Sequence, residues 1–131
     1  MRLDEQVAAV KASVEAMPGA VGAPLASAPG VLIYKVVGKM FAILTLGRTK
    51  SVILKCDPHL AEVLREQYAG VGHRSHLDRR FWISVGLEAD VPVEEIERLV
   101  GHSYDQVRSK LTRKQKAELE ALHSGQGAEA R

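Results

Sequence analysis

The stretch HRSHLDRRFWISV, residues 73–85, concentrates the residue types that form metal sites, acid–base sites and nucleic-acid surfaces. It contains His73, His76, Asp78, three arginines and Trp82, which is the one tryptophan of the chain. Glycines just before the stretch argue against a helix, and in a strand two residues three apart point to opposite faces. The two histidines therefore do not converge, and we predict neither a metal site nor a cofactor.

Patterns for other kinds of catalysis are weak. The sequence has no GxSxG, HExxH or P-loop motif. Cys56 at a predicted helix start could be an activated thiol, but a cysteine that ends the apolar run VILKC is typical of a buried hydrophobe. An enzyme would need a pocket in which Cys56, His76, Asp78 or Tyr104 converge. We expect a protein that is not an enzyme, and we infer no small-molecule substrate.

Strand alternation divides the second half of the stretch into two faces. For a strand through residues 79–87, one face is apolar and predicted to be core: Phe81, Ile83, Val85 and Leu87. The other face carries Arg80, Trp82, Ser84 and Gly86. Two explanations of Trp82 stay open. Either a helix covers this face, or the indole and nearby guanidinium groups form a surface that stacks bases or holds phosphates.

Length and hydrophobic periodicity predict one α+β domain with an antiparallel sheet flanked by helices. The chain has 131 residues, of which 46% are hydrophobic and 26% charged. Helical periodicity at Leu3–Val14 is followed by an irregular connection, MPGAVGAPLASAPG, and then by three strand-like runs: VLIYKVV, MFAILTL and SVILKC. Connections between these runs are so short that they must be antiparallel hairpins. We place the domain at residues 1–123 and a disordered tail at 124–131.

Capping residues predict where the helices begin. Asp57-Pro58 predicts the start of a second helix. After the strand RRFWISVGL, a helical stripe from Val93 is expected to stop at Gly101. Ser103 with Gln106 and Thr112 with Gln115 then resemble capping boxes, which predicts two further helical segments.

The termini and the cysteine content favour a cytoplasmic protein. The first residues, MRLDEQVAAV, are charged and lack the apolar core of a signal peptide. No apolar run approaches the ~20 residues that cross a bilayer, so no membrane partner is expected. A single cysteine rules out an intrachain disulfide, which fits a reducing compartment.

Charge is segregated along the chain although the formal net charge is only +2. From Val31 to Cys56 every charge is positive, and Lys39, Arg48 and Lys50 lie at or beside the predicted hairpin tips. An acidic stretch follows at 88–105, and a second basic cluster at 108–116. Basic hairpins can contact DNA phosphates as wings, whereas lysines at hairpin tips are also an ordinary way to keep a sheet edge soluble.

Five segments resemble the MmcQ/YjbR family in order and spacing: MPGA, YKVVGKMFAIL, VILKCDP, HLDRRFWISV and HSYDQVRSKL. The resemblance covers roughly residues 5–115. It implies an α-β(3)-α-β(2)-α fold similar to secretion chaperones in topology, with a short additional strand around Val71–Ser75. It also implies DNA binding through wing-like hairpins, and it brings no catalytic residues. Phe81 stands where the family commonly has histidine.

Two functions of different classes follow. The leading one is a non-enzymatic DNA-binding protein. In it Lys39, Arg48 and Lys50 contact phosphates from the hairpin loops, and the adjoining surface is lined by Arg79, Arg80 and Trp82. The alternative is a protein-interaction or chaperone-like module whose sheet or helix face binds a partner polypeptide or a second copy. That alternative requires a contiguous exposed apolar patch.

Overall fold

The computed structural model describes residues 2–129, with side chains described for residues 2–122. It contains four helices and six strands. In chain order they are α1 (Leu3–Glu15), β1 (Ala20–Pro24), β2 (Val31–Val36), β3 (Lys39–Leu46), β4 (Lys50–Lys55), α2 (Pro58–Gln67), β5 (Val71–Gly72), β6 (Trp82–Gly86), α3 (Val93–Arg108) and α4 (Arg113–Glu129).

The six strands form one sheet in the order β1-β2-β3-β4-β6-β5, and every neighbouring pair is antiparallel. The prediction of an α+β fold with an antiparallel sheet is confirmed. The short strand expected from the family resemblance is β5, at Val71–Gly72. It lies at the sheet edge because β6 returns between it and β4.

The hydrophobic core lies between the helices and one face of the sheet. All four helices contribute buried residues to the same cluster, among them Val10, Leu64, Val100 and Leu119. The strand residues of that cluster alternate along each strand: Tyr34 and Val36, Ala42 and Leu44, Val52 and Leu54, Ile83 and Val85. Since alternate residues face opposite sides, the helices pack on a single face. The other face is called the outer face below.

A β-bulge in β3 connects the sheet to α3. Tyr34 pairs with Ala42 and Lys35 with Met40, so Phe41 is the extra residue. Its side chain is fully buried and its ring meets Tyr104 edge to face, with 5.6 Å between the ring centroids. The bulge thus adds an aromatic contact between the sheet and the helix that crosses it.

Two local predictions differ from the structure. The segment expected to be an irregular connection contains β1, an edge strand that pairs along its whole length with β2. Gly101 does not end a helix, since α3 continues through it to Arg108. The disordered tail expected at residues 124–131 stays a prediction. Residues 130–131 lie outside the described residues.

Within the described part of the chain, no helix has the length and apolar character needed to span a membrane.

Candidate nucleic-acid interface

The antiparallel order separates the six predicted binding residues into two groups. Lys39 begins β3, and Trp82 begins β6 opposite Lys55, the last residue of β4. Arg48 and Lys50 lie at the other end of the same strands. β3 is eight residues long, so the two groups are roughly 20 Å apart. We call the end of the sheet that carries Lys39, Lys55 and Trp82 the Trp82 end of the sheet.

Arg48 and Lys50 lie in surroundings that do not favour an anion. The ammonium group of Lys50 donates to the carbonyl of Gly47 within its own turn, at 3.0 Å. Leu87 donates its backbone N–H to the Lys50 carbonyl, so the acidic segment that begins at Glu88 leaves the sheet beside this lysine. Opposite charge nearby lowers the local positive potential. The structure therefore does not bring these two residues into one surface with the other four.

The segment before β6 is a rigid turn organised by Asp78. Its carboxylate accepts from the backbone N–H of Arg80 at 2.9 Å and from the Arg80 guanidinium at 2.9 and 3.2 Å. Its carbonyl accepts from the N–H groups of Phe81 and Trp82. These hydrogen bonds and the charge of Arg80 hold the pKa of Asp78 below its usual value. The positive charge of Arg80 is thus neutralised in part by the Asp78 carboxylate in the same turn.

The prediction that Phe81 faces the core is wrong. The strand begins only at Trp82, and the Phe81 side chain is 36% exposed beneath the guanidinium of Arg80, 5.2 Å from the ring centroid. The strand therefore starts three residues later than predicted, at residue 82 instead of 79. Ile83, Val85 and Leu87 are buried as predicted.

Arg65 of α2 also holds this turn in place, through hydrogen bonds to its backbone carbonyls. Its Nη2 donates to the carbonyls of Arg79, at 2.7 Å, and Trp82, at 2.9 Å. Burial, together with the charge of Arg79, lowers the pKa of Arg65. A cleft of about 300 Å³ lies beside it, lined by Pro58, Glu62, Arg65, Glu66, Arg79 and Arg80. Its two carboxylates offset two of its three guanidinium groups, so we do not regard this cleft as the main anion-binding surface.

The outer face of the sheet carries Trp82 and two lysines that the sequence analysis did not single out. Trp82 pairs with Lys55 and therefore shares its face. Lys35 lies on the same face, on β2, which is two strands away from Lys55, and it pairs there with Met40 of β3. Trp82 is half-buried, and the helices pack on the opposite face. Of the two explanations left open for Trp82, cover by a helix is therefore wrong. Strand pairing was the missing signal for Lys55, because register cannot be read from one strand alone.

Both basic hairpins end in tight turns. Val37 and Gly38 connect β2 to β3 with φ angles of 47° and 78°, which is the left-handed pair of a type I′ turn. Residues 47–49 connect β3 to β4. Loops of two and three residues stop flush with the sheet, whereas a wing that enters a DNA groove projects beyond it. The geometry therefore favours the sheet face over the hairpin tips as a contact surface.

The second basic cluster lies where α3 meets α4. A cleft of about 610 Å³ there is lined by Pro18, Tyr104, Asp105, Arg108, Ser109, Lys116, Leu119 and Glu120. Tyr104 donates its hydroxyl to the Pro18 carbonyl at 2.6 Å, which ties α3 to the start of β1. The cleft has two cationic and two acidic side chains, so it has no net preference for either sign of charge.

The residues considered for catalysis occupy different surroundings. Cys56 is fully buried, and burial together with the charge of Asp57 raises the pKa of its thiol to about 11. His73 shares a hydrogen bond of 2.8 Å with the Leu77 carbonyl, and His76 is exposed in the same turn. Cys56 is therefore a buried small hydrophobe, as the sequence indicated.

Large exposed hydrophobic side chains are distributed over four segments of the described chain. They are Val21 on β1 with Leu25 just after it, Val63 on α2, Phe81 in the turn before β6, and Leu122 on α4. A binding surface for another polypeptide usually gathers such residues into one patch. Their distribution gives the protein-interaction alternative little support.

Comparisons with known proteins agree with this architecture. The family model YjbR matches residues 15–106, which is more than half of the chain. The uncharacterized protein YjbR of Escherichia coli strain K12 is 41% identical over 56 residues, covering 43% of this chain and 48% of that protein. The same holds for the YjbR protein of Escherichia coli O157:H7. The chain thus spans about half the length of the curated relatives it matches.

Solved structures extend the likeness over most of the fold. The crystal structure of Deinococcus radiodurans protein DR2400, with a DUF419 domain, has a TM-score of 0.75 and 25% identity, and 85% of each chain is covered. A crystal structure from Pseudomonas syringae has a TM-score of 0.65 and 20% identity, covering 82% of this chain and all of that one. The family match covers all six strands, α2 and nearly all of α3. The chain therefore belongs to the YjbR family.

Proposed function

We propose that this protein is a non-enzymatic nucleic-acid-binding protein that contacts DNA through the Trp82 end of its sheet. The observation that carries the proposal is the sign of the charges in the sheet. All four charged residues within the six strands are lysines: Lys35, Lys39, Lys50 and Lys55. Three of them gather with Trp82 at one end, and phosphate contacts by lysine supply most of the affinity in non-specific DNA binding.

Two acidic residues near the Trp82 end are already engaged. Asp57 caps α2, where its carboxylate accepts from the N–H groups of His59 and Leu60, each at 3.1 Å. Asp78 is held by Arg80. These two carboxylates point at donors of their own segments, so they offset the charge of the strand lysines less than free carboxylates would, whereas Glu62 and Glu66 line the cleft beside Arg79.

Titration of labelled DNA at two salt concentrations tests the proposal. We expect dissociation constants in the micromolar range or tighter at low salt, weakening steeply as salt rises because bound counterions are released. Binding that is absent at low salt, or that does not respond to salt, contradicts the proposal.

A matched pair of variants locates the surface. The double variant Lys39→Gln and Lys55→Gln removes two positive charges at the Trp82 end, and Arg48→Gln with Lys50→Gln removes two from the other end of the same strands. We expect the first pair to weaken binding and to lower the salt dependence by about one unit for each phosphate that is no longer bound. The second pair should bind like the unmodified protein. Equal reductions in affinity for both pairs would refute the assignment of the surface.

A further inference from the structure

We propose that the outer face of the sheet selects single-stranded over duplex nucleic acid, with one base stacked on the indole of Trp82 and neighbouring phosphates at Lys55 and Lys35. This inference rests on the proposed function and adds to it the class of ligand. It depends on the shape of the face, the order of its side chains and the reach of its lysines.

The outer face has a row of isoleucines across the three adjacent strands β2, β3 and β4. Pairing places Ile33, Ile43 and Ile53 side by side, and continues to Ala23 on β1 and Ser84 on β6. Ile43 and Ile53 are 8% and 0% exposed, although neither belongs to the cluster beneath the helices. These two side chains are therefore covered by their neighbours, so they support the outer face as a packed layer and offer a ligand almost no surface of their own.

Trp82 stands at the border of this packed layer. Ile53 pairs with Ser84, so Trp82 is its diagonal neighbour across β4 and β6. Trp82 is the largest side chain on this face and is half-buried, so it packs onto its neighbours and keeps a part open to solvent. A ring fixed in this way offers a stacking partner whose position is set before a ligand arrives.

The lysines lie in the same row as the ring. Lys55 is directly opposite Trp82, about 5 Å across one strand spacing, and Lys35 is about 10 Å further on, two strands beyond Lys55. Met40 lies between them on β3. A base stacked on the indole therefore has its backbone within reach of the Lys55 side chain, and the next phosphates run toward Lys35.

Charge and shape together favour a single strand as the occupant. A duplex presents phosphates and grooves and keeps its base faces stacked inside, whereas a single strand offers both phosphates and apolar base faces. The turns at 37–38 and 47–49 are too short to reach into a groove. A half-buried aromatic ring with lysines beside it, on a packed sheet face, complements the single strand.

The tryptophan content of the chain makes the test direct, because Trp82 is the one source of tryptophan emission. Unlabelled oligothymidylate and a duplex of equal length are titrated into the full chain while that emission is recorded. We expect the single strand to quench Trp82 and to bind about 10-fold more tightly than the duplex. Trp82→Leu should weaken single-strand binding roughly 10-fold, and Trp82→Phe, which keeps an aromatic ring, should weaken it much less.

Different experimental results would overturn the single-strand inference and the proposed function. Duplex that binds as tightly as the single strand, or a saturated complex whose tryptophan emission is unchanged, overturns the single-strand inference while salt-dependent binding stands. No binding of either nucleic acid overturns both. The quenching is measured on the unmodified protein, so the result does not depend on whether Trp82→Leu folds.

Discussion

At the residue scale, some of the predicted helix-capping residues are confirmed and one predicted capping box is wrong. Asp57 caps α2 as predicted, and Thr112 and Gln115 form the reciprocal capping box, with bonds of 2.9 and 3.1 Å. The other predicted box, Ser103 with Gln106, is wrong, because Ser103 lies in the middle of α3 and its side chain is fully buried. A local pattern predicts a cap only when the chain outside it also breaks the helix.

Ser103 completes the sheet at the β3 bulge. Ala42 pairs with Leu54, so regular pairing would bring Phe41 opposite Lys55, but the bulge separates them. The Ser103 hydroxyl fills the gap, since it accepts from the Lys55 N–H at 2.8 Å and donates to the Phe41 carbonyl at 2.5 Å. It thereby fixes the backbone of Lys55, a residue of the proposed interface.

Ser103→Ala leaves two buried backbone groups without a partner. We expect the free energy of unfolding to fall by roughly 2–6 kcal/mol, since each of the two orphaned groups costs about 1–3 kcal/mol. Urea denaturation measures the decrease. Ser109→Ala is the control, because that hydroxyl is exposed and bonds only the Gln106 carbonyl at the end of α3, so the decrease there should be much smaller. Equal effects of the two changes would show that the bridge contributes nothing.

At the scale of elements, two segments that contain glycine were predicted to be irregular where the structure has a regular helix or strand. Gly101 suggested a helix end, yet the apolar stripe of Ile96, Leu99 and Val100 continues through Tyr104 and Val107, and this burial stabilises the longer helix. Gly22 made β1 look like a loop, yet the ring of Tyr34 packs over the space that a side chain would fill. Propensity is a weak signal where tertiary packing decides.

Replacing each of these glycines with alanine should have opposite effects. A Cβ at Gly101 meets no atom within 4 Å, so Gly101→Ala should stabilise the protein by about 0.5–1 kcal/mol through helix propensity. A Cβ at Gly22 would clash with the Tyr34 ring, so Gly22→Ala should destabilise by about 1–3 kcal/mol. Thermal unfolding of both variants, measured alongside the unmodified protein, tests the two expectations. A destabilising Gly101→Ala would contradict the continuous packing of α3.

At the scale of the whole molecule, the sequence predicted the α+β class and the antiparallel sheet but not which charges share a surface. Hairpin tips at the two ends of β3 look equivalent in sequence, whereas the alternating strand directions place Lys39 at one end and Arg48 at the other. Lys55 became part of the candidate site only through its pairing with Trp82. Position on a sheet depends on pairings between distant segments, and no local pattern contains them.

Stability at alkaline pH depends on a group buried in the core that the helices and the sheet share. Burial and the neighbouring Asp57 raise the pKa of the Cys56 thiol from 9.0 to about 11. The folded state thus keeps the thiol protonated where the unfolded chain ionises. Its contribution to stability is complete below pH 9 and is lost as the pH rises from about 9 to 11.

Cys56→Ala should remove this part of the pH dependence. Between pH 8 and 11 we expect the free energy of unfolding to fall by about 2 kcal/mol more in the parent than in the variant, from a shift of about two pKa units. Burial also raises the pKa of Tyr34 and Tyr104, but both proteins keep these groups, so their effect cancels in the difference. Urea denaturation across this range measures both curves. Parallel curves would mean that the thiol ionises as easily in the folded protein as in the unfolded one, and would contradict its place in the core.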